Sequence, residues 1–115
     1  MTIARKALGA SGEARVARWY EARGCEVLDR NWRGKDGELD LVLRDGHTLV
    51  FCEVKTRTSL RFGLPAEAVT AVKQLRLRRL AMQWLAAHPE RRGRELRFDV
   101  AGVVGAAVDV VEAAF

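Results

Sequence analysis

Residues 37–55, Gly37-Glu38-Leu39-Asp40-Leu41-Val42-Leu43-Arg44-Asp45-Gly46-His47-Thr48-Leu49-Val50-Phe51-Cys52-Glu53-Val54-Lys55, decide how the rest of the chain reads. Two runs rich in Leu, Val and Phe flank Asp45-Gly46, a strong short-range signal for a two-residue type I′ turn, so the stretch reads as a β-hairpin. A turn made of Asp45 and Gly46 sets Arg44 opposite His47, Val42 opposite Leu49, Asp40 opposite Phe51 and Glu38 opposite Glu53. Successive strand side chains point to opposite faces. Glu38, Asp40, Glu53 and Lys55 therefore share one face with Val42, Leu49 and Phe51, while Leu39, Leu41, Leu43, Val50, Cys52 and Val54 form a dry second face. In this register Asp40 and Glu53 are diagonal neighbours, about 7–8 Å apart at Cα. Both side chains can then hold one cation, and Mg²⁺ takes oxygen ligands, one or two of them carboxylates.

Around the hairpin, residues 11–23 read as a helix capped by Ser11, with Ala14, Ala17 and Tyr20 at near-helical spacing and Gly24 as its stop. Cys25 to Asp29 reads as a short strand, and Asn31 to Gly37 as a basic loop holding Trp32. Thr56 to Pro65 reads as a polar connection containing Arg57, Arg61, Phe62 and Gly63. From Ala66 to His88 the pattern is helical, with Val69, Val72, Leu80, Trp84 and Leu85 on one side and Pro89 as its end. Glu90 to Glu95 reads as a charged loop, and Leu96–Val104 and Val108–Glu112 as strands about a Gly105-Ala106-Ala107 turn. The order α-β-β-β-α-β-β is that of an α/β sandwich with both helices packed on a central sheet.

With 115 residues the chain is long enough for one core and too short for two, so residues 1–115 are expected to form a single domain. An apolar fraction of 49% fits a globular protein rather than a disordered one. The formal net charge of +5 favours an anionic partner such as nucleic acid, against the alternative of a merely arginine-rich soluble surface. No apolar run is long enough to span a membrane, and no apolar segment follows the first positive charges, so neither a membrane partner nor a signal peptide is expected. Cys25 and Cys52 form neither a disulfide framework nor a zinc pattern, and a cytoplasmic location is expected.

A phosphodiester hydrolase needs a metal to polarise the phosphate, a cation to meet the developing charge, and a basic surface to position the backbone. Asp40 and Glu53 can supply the first, Lys55 the second, and the arginines the third. Arg33 and Lys35 in the basic loop, and Arg57, Lys73, Gln74 and Arg76 beyond the hairpin, are the candidate nucleic-acid contacts. Each assignment has a plainer counterpart. Glu13 can be a first-turn acid favoured by the helix dipole, and Glu38 a partner of Arg33 or Lys35. Asp40, Glu53 and Lys55 can be a cross-strand ion cluster of little energetic weight. Against the last stands the like-charge repulsion of three acids on one partly apolar face, which a metal would offset. Trp84 reads as core. Trp32 reads as buried, with base stacking as its alternative. His47 and His88 carry no catalytic signature, and Asp99 reads as an arginine partner rather than a ligand.

Asp40, twelve residues, then Glu53-Val54-Lys55 resembles the core motif of the PD-(D/E)-x-K nuclease superfamily, although Leu39 stands where the naming proline would be. More closely, the chain resembles the YraN family of small bacterial proteins of uncertain function. That resemblance is carried by Gly12-Glu13-Ala14, Arg30-Asn31-Trp32-Arg33, Gly37-Glu38-Leu39-Asp40, residues 51–57, and Arg97-Phe98-Asp99-Val100. It covers nearly the whole chain except the C-terminal tail. The arrangement is also similar to that of archaeal Holliday-junction resolvases. The resemblance implies a restriction-endonuclease-like three-layer α-β-α sandwich with a central mixed sheet. It implies Mg²⁺ or Mn²⁺ at Glu13, Asp40 and Glu53 with the Val54 carbonyl, and Lys55 stabilising the attacking water or the transition state. Glu13, Asp40, Glu53 and Lys55 are then the catalytic set of a metal-dependent endonuclease on DNA, with branched DNA suggested at fold level alone. Two alternatives stay open: a non-catalytic nucleic-acid-binding module, and a homodimeric interaction protein of the same fold.

Overall fold

The hairpin forms, but its turn falls one residue later than expected. Gly46 and His47 make the turn, and Asp45 stays in the ladder opposite Thr48, followed by Arg44↔Leu49, Leu43↔Val50, Val42↔Phe51 and Leu41↔Cys52. Gly46 has φ +59 while His47 is not in the positive-φ region, the pattern of a type II′ rather than a type I′ turn. Asp45 thereby keeps an extended backbone, and its carboxylate accepts from Arg97 Nη1 at 3.0 Å.

The computed structural model describes residues 3–57 and 69–115, with side chains described from residue 11. Its elements are α1 (Ile3–Glu21), β1 (Glu26–Gly34), β2 (Gly37–Asp45), β3 (Thr48–Arg57), α2 (Ala71–Ala87), a short 3-10 helix (Pro89–Arg91), β4 (Glu95–Val104) and β5 (Ala107–Val111). The five strands form one mixed sheet in the order β1-β2-β3-β4-β5, and only β3 and β4 pair in parallel. A parallel pair needs a long crossover, and α2 lies within it. Leu49 and Phe51 of β3 pack with Leu77, Leu80, Ala81 and Trp84 of α2. Val50 and Cys52, on the opposite side of the same strand, pack with Val16, Ala17 and Tyr20 of α1. The sheet therefore lies between the two helices, in three layers. Among the described residues no helix is long and apolar enough to cross a membrane.

Several boundaries differ from those read in the sequence. Ser11 is not a cap, because α1 begins at Ile3 and runs through the Gly-Ser-rich stretch. Gly12 is buried there, and a Cβ on it would overlap the Thr56 side chain of β3, so its lack of a side chain lets the helix lie close to the sheet. Trp32 is not in a loop, since β1 continues to Gly34. Thr56 and Arg57 belong to β3 rather than to the connection after it. Arg61, Phe62, Gly63, Pro65 and Ala66 lie outside the described residues. α2 starts at Ala71, after Thr70, whose side chain accepts from Lys73 N. Val72 is 77% exposed, so it does not belong to the apolar side of α2. Leu39 is also misplaced by simple alternation. It packs under α2 with Val42, whereas Leu41 and Leu43 pack under α1.

One buried carboxylate ties the layers together. Asp99 of β4 is fully buried and accepts from Tyr20 Oη (2.6 Å), Arg97 Nε (2.9 Å) and Nη2 (3.0 Å), and Ala113 N (3.0 Å). It thus pairs with an arginine, as expected. Asp99→Ala would strand the Arg97 guanidinium and the Tyr20 hydroxyl. The expected loss is about 3–5 kcal/mol of stability, read from urea unfolding. Gly12→Ala should gain about 0.5–1 kcal/mol on helix propensity alone. The clash with Thr56 is expected to reverse that sign, so a lowered unfolding midpoint is the result to look for.

Candidate functional site

The site grows from a fork in the sheet. The β2–β3 pairing ends at Leu41↔Cys52, although β2 reaches back to Gly37 and β3 on to Arg57. Beyond that point β2 stays paired with β1 as far as Gly37↔Gly34, and β3 with β4 as far as Arg57↔Val104. Asp40 stands at the start of the fork. Its Oδ2 accepts from Val54 N at 2.8 Å, so a side chain meets a backbone donor that the parted strand no longer meets.

The opposite flank of β2 is irregular at the same level. The β1–β2 register pairs Arg30↔Leu41 and Trp32↔Leu39 but omits Asn31, which has φ +50. Asparagine is among the few non-glycine residues that tolerate this left-handed conformation. The Asn31 side chain lies beside Glu13 of α1 and favours its charged form.

Carboxylate oxygens of Glu13, Glu38 and Asp40 all lie within 4.8 Å of one another. Burial raises the Asp40 pKa to about 8, with the Glu53 charge adding to the effect and the Val54 N–H opposing it. Glu13 is raised as well, first by burial and then by the charges of Glu38 and Glu53, against the Asn31 side chain and the charge of Arg30. Glu53 Oε1 lies 3.6 Å from Lys55 Nζ, both side chains being largely covered. Lys73 of α2 comes next. The charge of Lys55 and then burial lower its pKa, while Glu53 pulls it back up. Because β2 and β3 part here, Glu13 from one helix layer and Lys73 from the other both act on Glu53.

Crowded acids whose protons are favoured by burial and mutual repulsion suit a hard divalent cation, which needs oxygen donors and would offset that repulsion. Of the expected residues, Glu13 and Asp40 fall in one carboxylate group with Glu38, while Glu53 lies outside that group and pairs with Lys55, and Val54 meets Asp40 through its N–H. Glu38 does two things: it meets the acid cluster, and it pairs with Arg33 Nη2 at 3.3 Å. Lys73 reaches the site, but Gln74 does not, since its Nε2 donates to Val69 O at 3.2 Å. Arg33 and Lys35 line an open cleft of about 540 Å³ with Trp32 and Gln83. Arg57, at the end of β3, has a buried Nε with no hydrogen-bond partner among the described residues. Arg76 is exposed on α2. Sequence reasoning missed Asn31 and Arg30 as neighbours of Glu13. The signal was an asparagine in a strand position that would need a left-handed backbone.

A sequence model of the uncharacterised protein family UPF0102 matches residues 12–103. A UPF0102 protein of Beutenbergia cavernae is 61% identical over 101 residues, covering 88% of this chain and 85% of its own. One of Frankia casuarinae is 57% identical over 97 residues, covering 84% and 81%. One of Acidothermus cellulolyticus is 44% identical over 126 residues, covering 97% and 96%.

The raised pKa of Asp40 has a consequence for stability without metal. Between the unfolded value, 3.8, and about 8, the folded chain holds a proton that the unfolded chain has lost. Stability contributed by this group therefore falls as pH rises through that window. In chelator, Asp40→Asn is expected to melt near the wild type at ~pH 4 and several degrees above it at ~pH 9. Thermal scans across that range decide the matter, and an equal difference at both ends would refute strain at Asp40.

Proposed function

We propose that this chain, which belongs to the uncharacterised protein family UPF0102, hydrolyses phosphodiester bonds of nucleic acid with Mg²⁺ or Mn²⁺. The observation that carries the proposal is the Glu13–Glu38–Asp40 cluster at the fork of β2 and β3, with Glu53 and Lys55 beside it. An acid on one strand and acid-x-Lys on the next, on a mixed sheet between two helices, is also what likeness to the PD-(D/E)-x-K nucleases and their restriction-endonuclease-like sandwich would require.

Glu13, Glu38 and Asp40 would hold the cation, with Glu53 beside them. When bound, such a cation polarises a phosphoryl oxygen and makes water more acidic. The chain's own groups do the rest. Lys55 places a positive charge beside Glu53, where it meets negative charge developing on the phosphate. Asn31 favours the charged form of Glu13. The Val54 N–H fixes one Asp40 oxygen and leaves the other for a ligand. Arg33, Lys35, Arg57, Lys73 and Arg76 give a basic surround for the backbone, in keeping with the net charge of +5. DNA is the substrate favoured here, branched DNA in particular.

The test uses labelled single-stranded, duplex, flapped and four-way-junction DNA, with RNA counterparts, in Mg²⁺, Mn²⁺ or chelator. Metal-dependent cutting is expected. Asp40→Asn, Glu53→Gln and Lys55→Ala should each lower it by about 100-fold or more. Glu38→Gln should raise the metal concentration needed. Binding without cutting would establish a non-catalytic nucleic-acid-binding module instead. With neither, the exposed Val72, Leu75 and Met82 of α2 would bring the homodimeric alternative forward.

A further inference from the structure

The groove between α1 and the β4–β5 turn lies apart from the acid cluster and has its own chemistry. Arg15, Arg18, Trp19 and Arg23 line its helix side, and Ala106 and Val108 its strand side, around an open cleft of about 450 Å³. Spacings of three and four residues keep Arg15, Arg18 and Trp19 on adjoining flanks of α1, and Arg23 follows in the turn after Glu21. Arg15 and Arg18 are about 4.5 Å apart along the axis, from the helical rise of 1.5 Å per residue.

The Arg23 guanidinium is held in place. Its Cζ lies 3.5 Å from the Trp19 ring centroid, and its Nη1 donates to the Trp19 carbonyl at 3.0 Å. Trp19 is fixed in turn, since it packs on the apolar cluster beneath α1. Among the described residues, Arg33, Arg44 and Arg97 each have a carboxylate partner, whereas none of Arg15, Arg18 and Arg23 does. β5 offers no acid to the groove, because Val108 and Val110 face α1 and strand alternation turns Asp109 to the other side.

We propose that this groove binds the phosphodiester backbone of a nucleic acid strand without any metal. Three guanidinia without carboxylate partners along one groove repel one another and leave their planar donor forks for an anion. The groove is open and shallow-walled, which suits a continuing polymer better than a small molecule that a pocket must enclose. Glu13 sits on the same helix two residues before Arg15 and therefore on its other side, so the groove is a surface of its own, apart from the acid cluster. Nucleic acid as the occupant rests on the function proposed above; the anion chemistry of the groove does not.

The test is fluorescence anisotropy of labelled single-stranded and duplex DNA with the full chain in chelator, over a salt series. The variants are Arg15→Ala/Arg18→Ala and, as a charge-keeping control, Arg15→Lys/Arg18→Lys. The alanine pair is expected to weaken binding by about 10-fold or more at low salt. It should also flatten the slope of log affinity against log salt by about 1.4 on single strands and 1.8 on duplex, two phosphates' worth. The lysine pair should keep the slope. Unchanged affinity and slope in the alanine pair would overturn the proposal, and so would failure of the wild type to bind either DNA. If the alanine pair misfolds, weakened binding in the well-folded lysine pair with the slope intact supports guanidinium-specific contacts, and wild-type behaviour in an Arg18→Glu variant overturns them. Cleavage is scored separately in Mg²⁺. Wild-type cutting with unaltered binding in the alanine pair sinks the groove alone, and slope loss without cutting by any form sinks the nuclease alone.

Discussion

A single hydrogen bond, from the Val54 amide to Asp40 Oδ2 at 2.8 Å, holds the two halves of the sheet together where its central strands part. Sheets pair their backbone groups because an unmet buried donor costs about as much as a lost hydrogen bond. Past Leu41 and Cys52 that pairing is given up, and a carboxylate takes the place of a strand carbonyl. The exchange opens the sheet from both sides. Glu13 enters from the α1 layer and Lys73 from the α2 layer, and both act on Glu53, which a continuous sheet would have kept for one face.

The surroundings are arranged to tolerate this. Gly12 brings α1 close to Thr56, which carries Glu13 into reach of the acids. Asn31 takes a left-handed conformation at a β1 position that the ladder omits, and its side chain lies beside Glu13. Burial and neighbouring negative charge raise the pKa of Asp40 and Glu13, so the cluster is strained electrostatically. The strain is confined to the fork. On the neighbouring strand, opposite Cys52, Asp99, fully satisfied by Tyr20, Arg97 and Ala113, joins α1, β4 and the C-terminal residues. One buried carboxylate is thus met by donors on every side, while the others are met chiefly by each other. The first serves the frame, and the second set is free for chemistry.

Much of this was legible residue by residue. The apolar runs about Asp45-Gly46 marked the hairpin, and the order of helices and strands was correct, as was the burial of Trp84 and Leu80. The family, too, was visible in ordered segments such as Gly37-Glu38-Leu39-Asp40 and residues 51–57, and the chain belongs to it. The turn was placed one residue early because Asp45-Gly46 and Gly46-His47 both offer a glycine, and only the use of Asp45 by Arg97 separates them. Leu39 was assigned to the wrong face because alternation assumes an unbroken strand. β2 changes face at Asp40, opposite Asn31, and no pattern of apolar residues reports that.

The sequence alone determined which residue types are available and how they alternate over short distances: an acid on β2, acid-x-Lys on β3, two amphipathic helices, and an excess of positive charge. These are local properties, set by backbone periodicity and side-chain chemistry. Only the tertiary structure decided that Glu38 joins Glu13 and Asp40, that Lys73 approaches the site while Gln74 donates to the Val69 carbonyl, and that Arg15, Arg18 and Arg23 share a groove with the β4–β5 turn and β5. Those relations depend on where a ladder stops and on how closely a helix can lie on a sheet. Backbone hydrogen bonding and packing settle both between residues far apart in the chain, where no periodicity reaches.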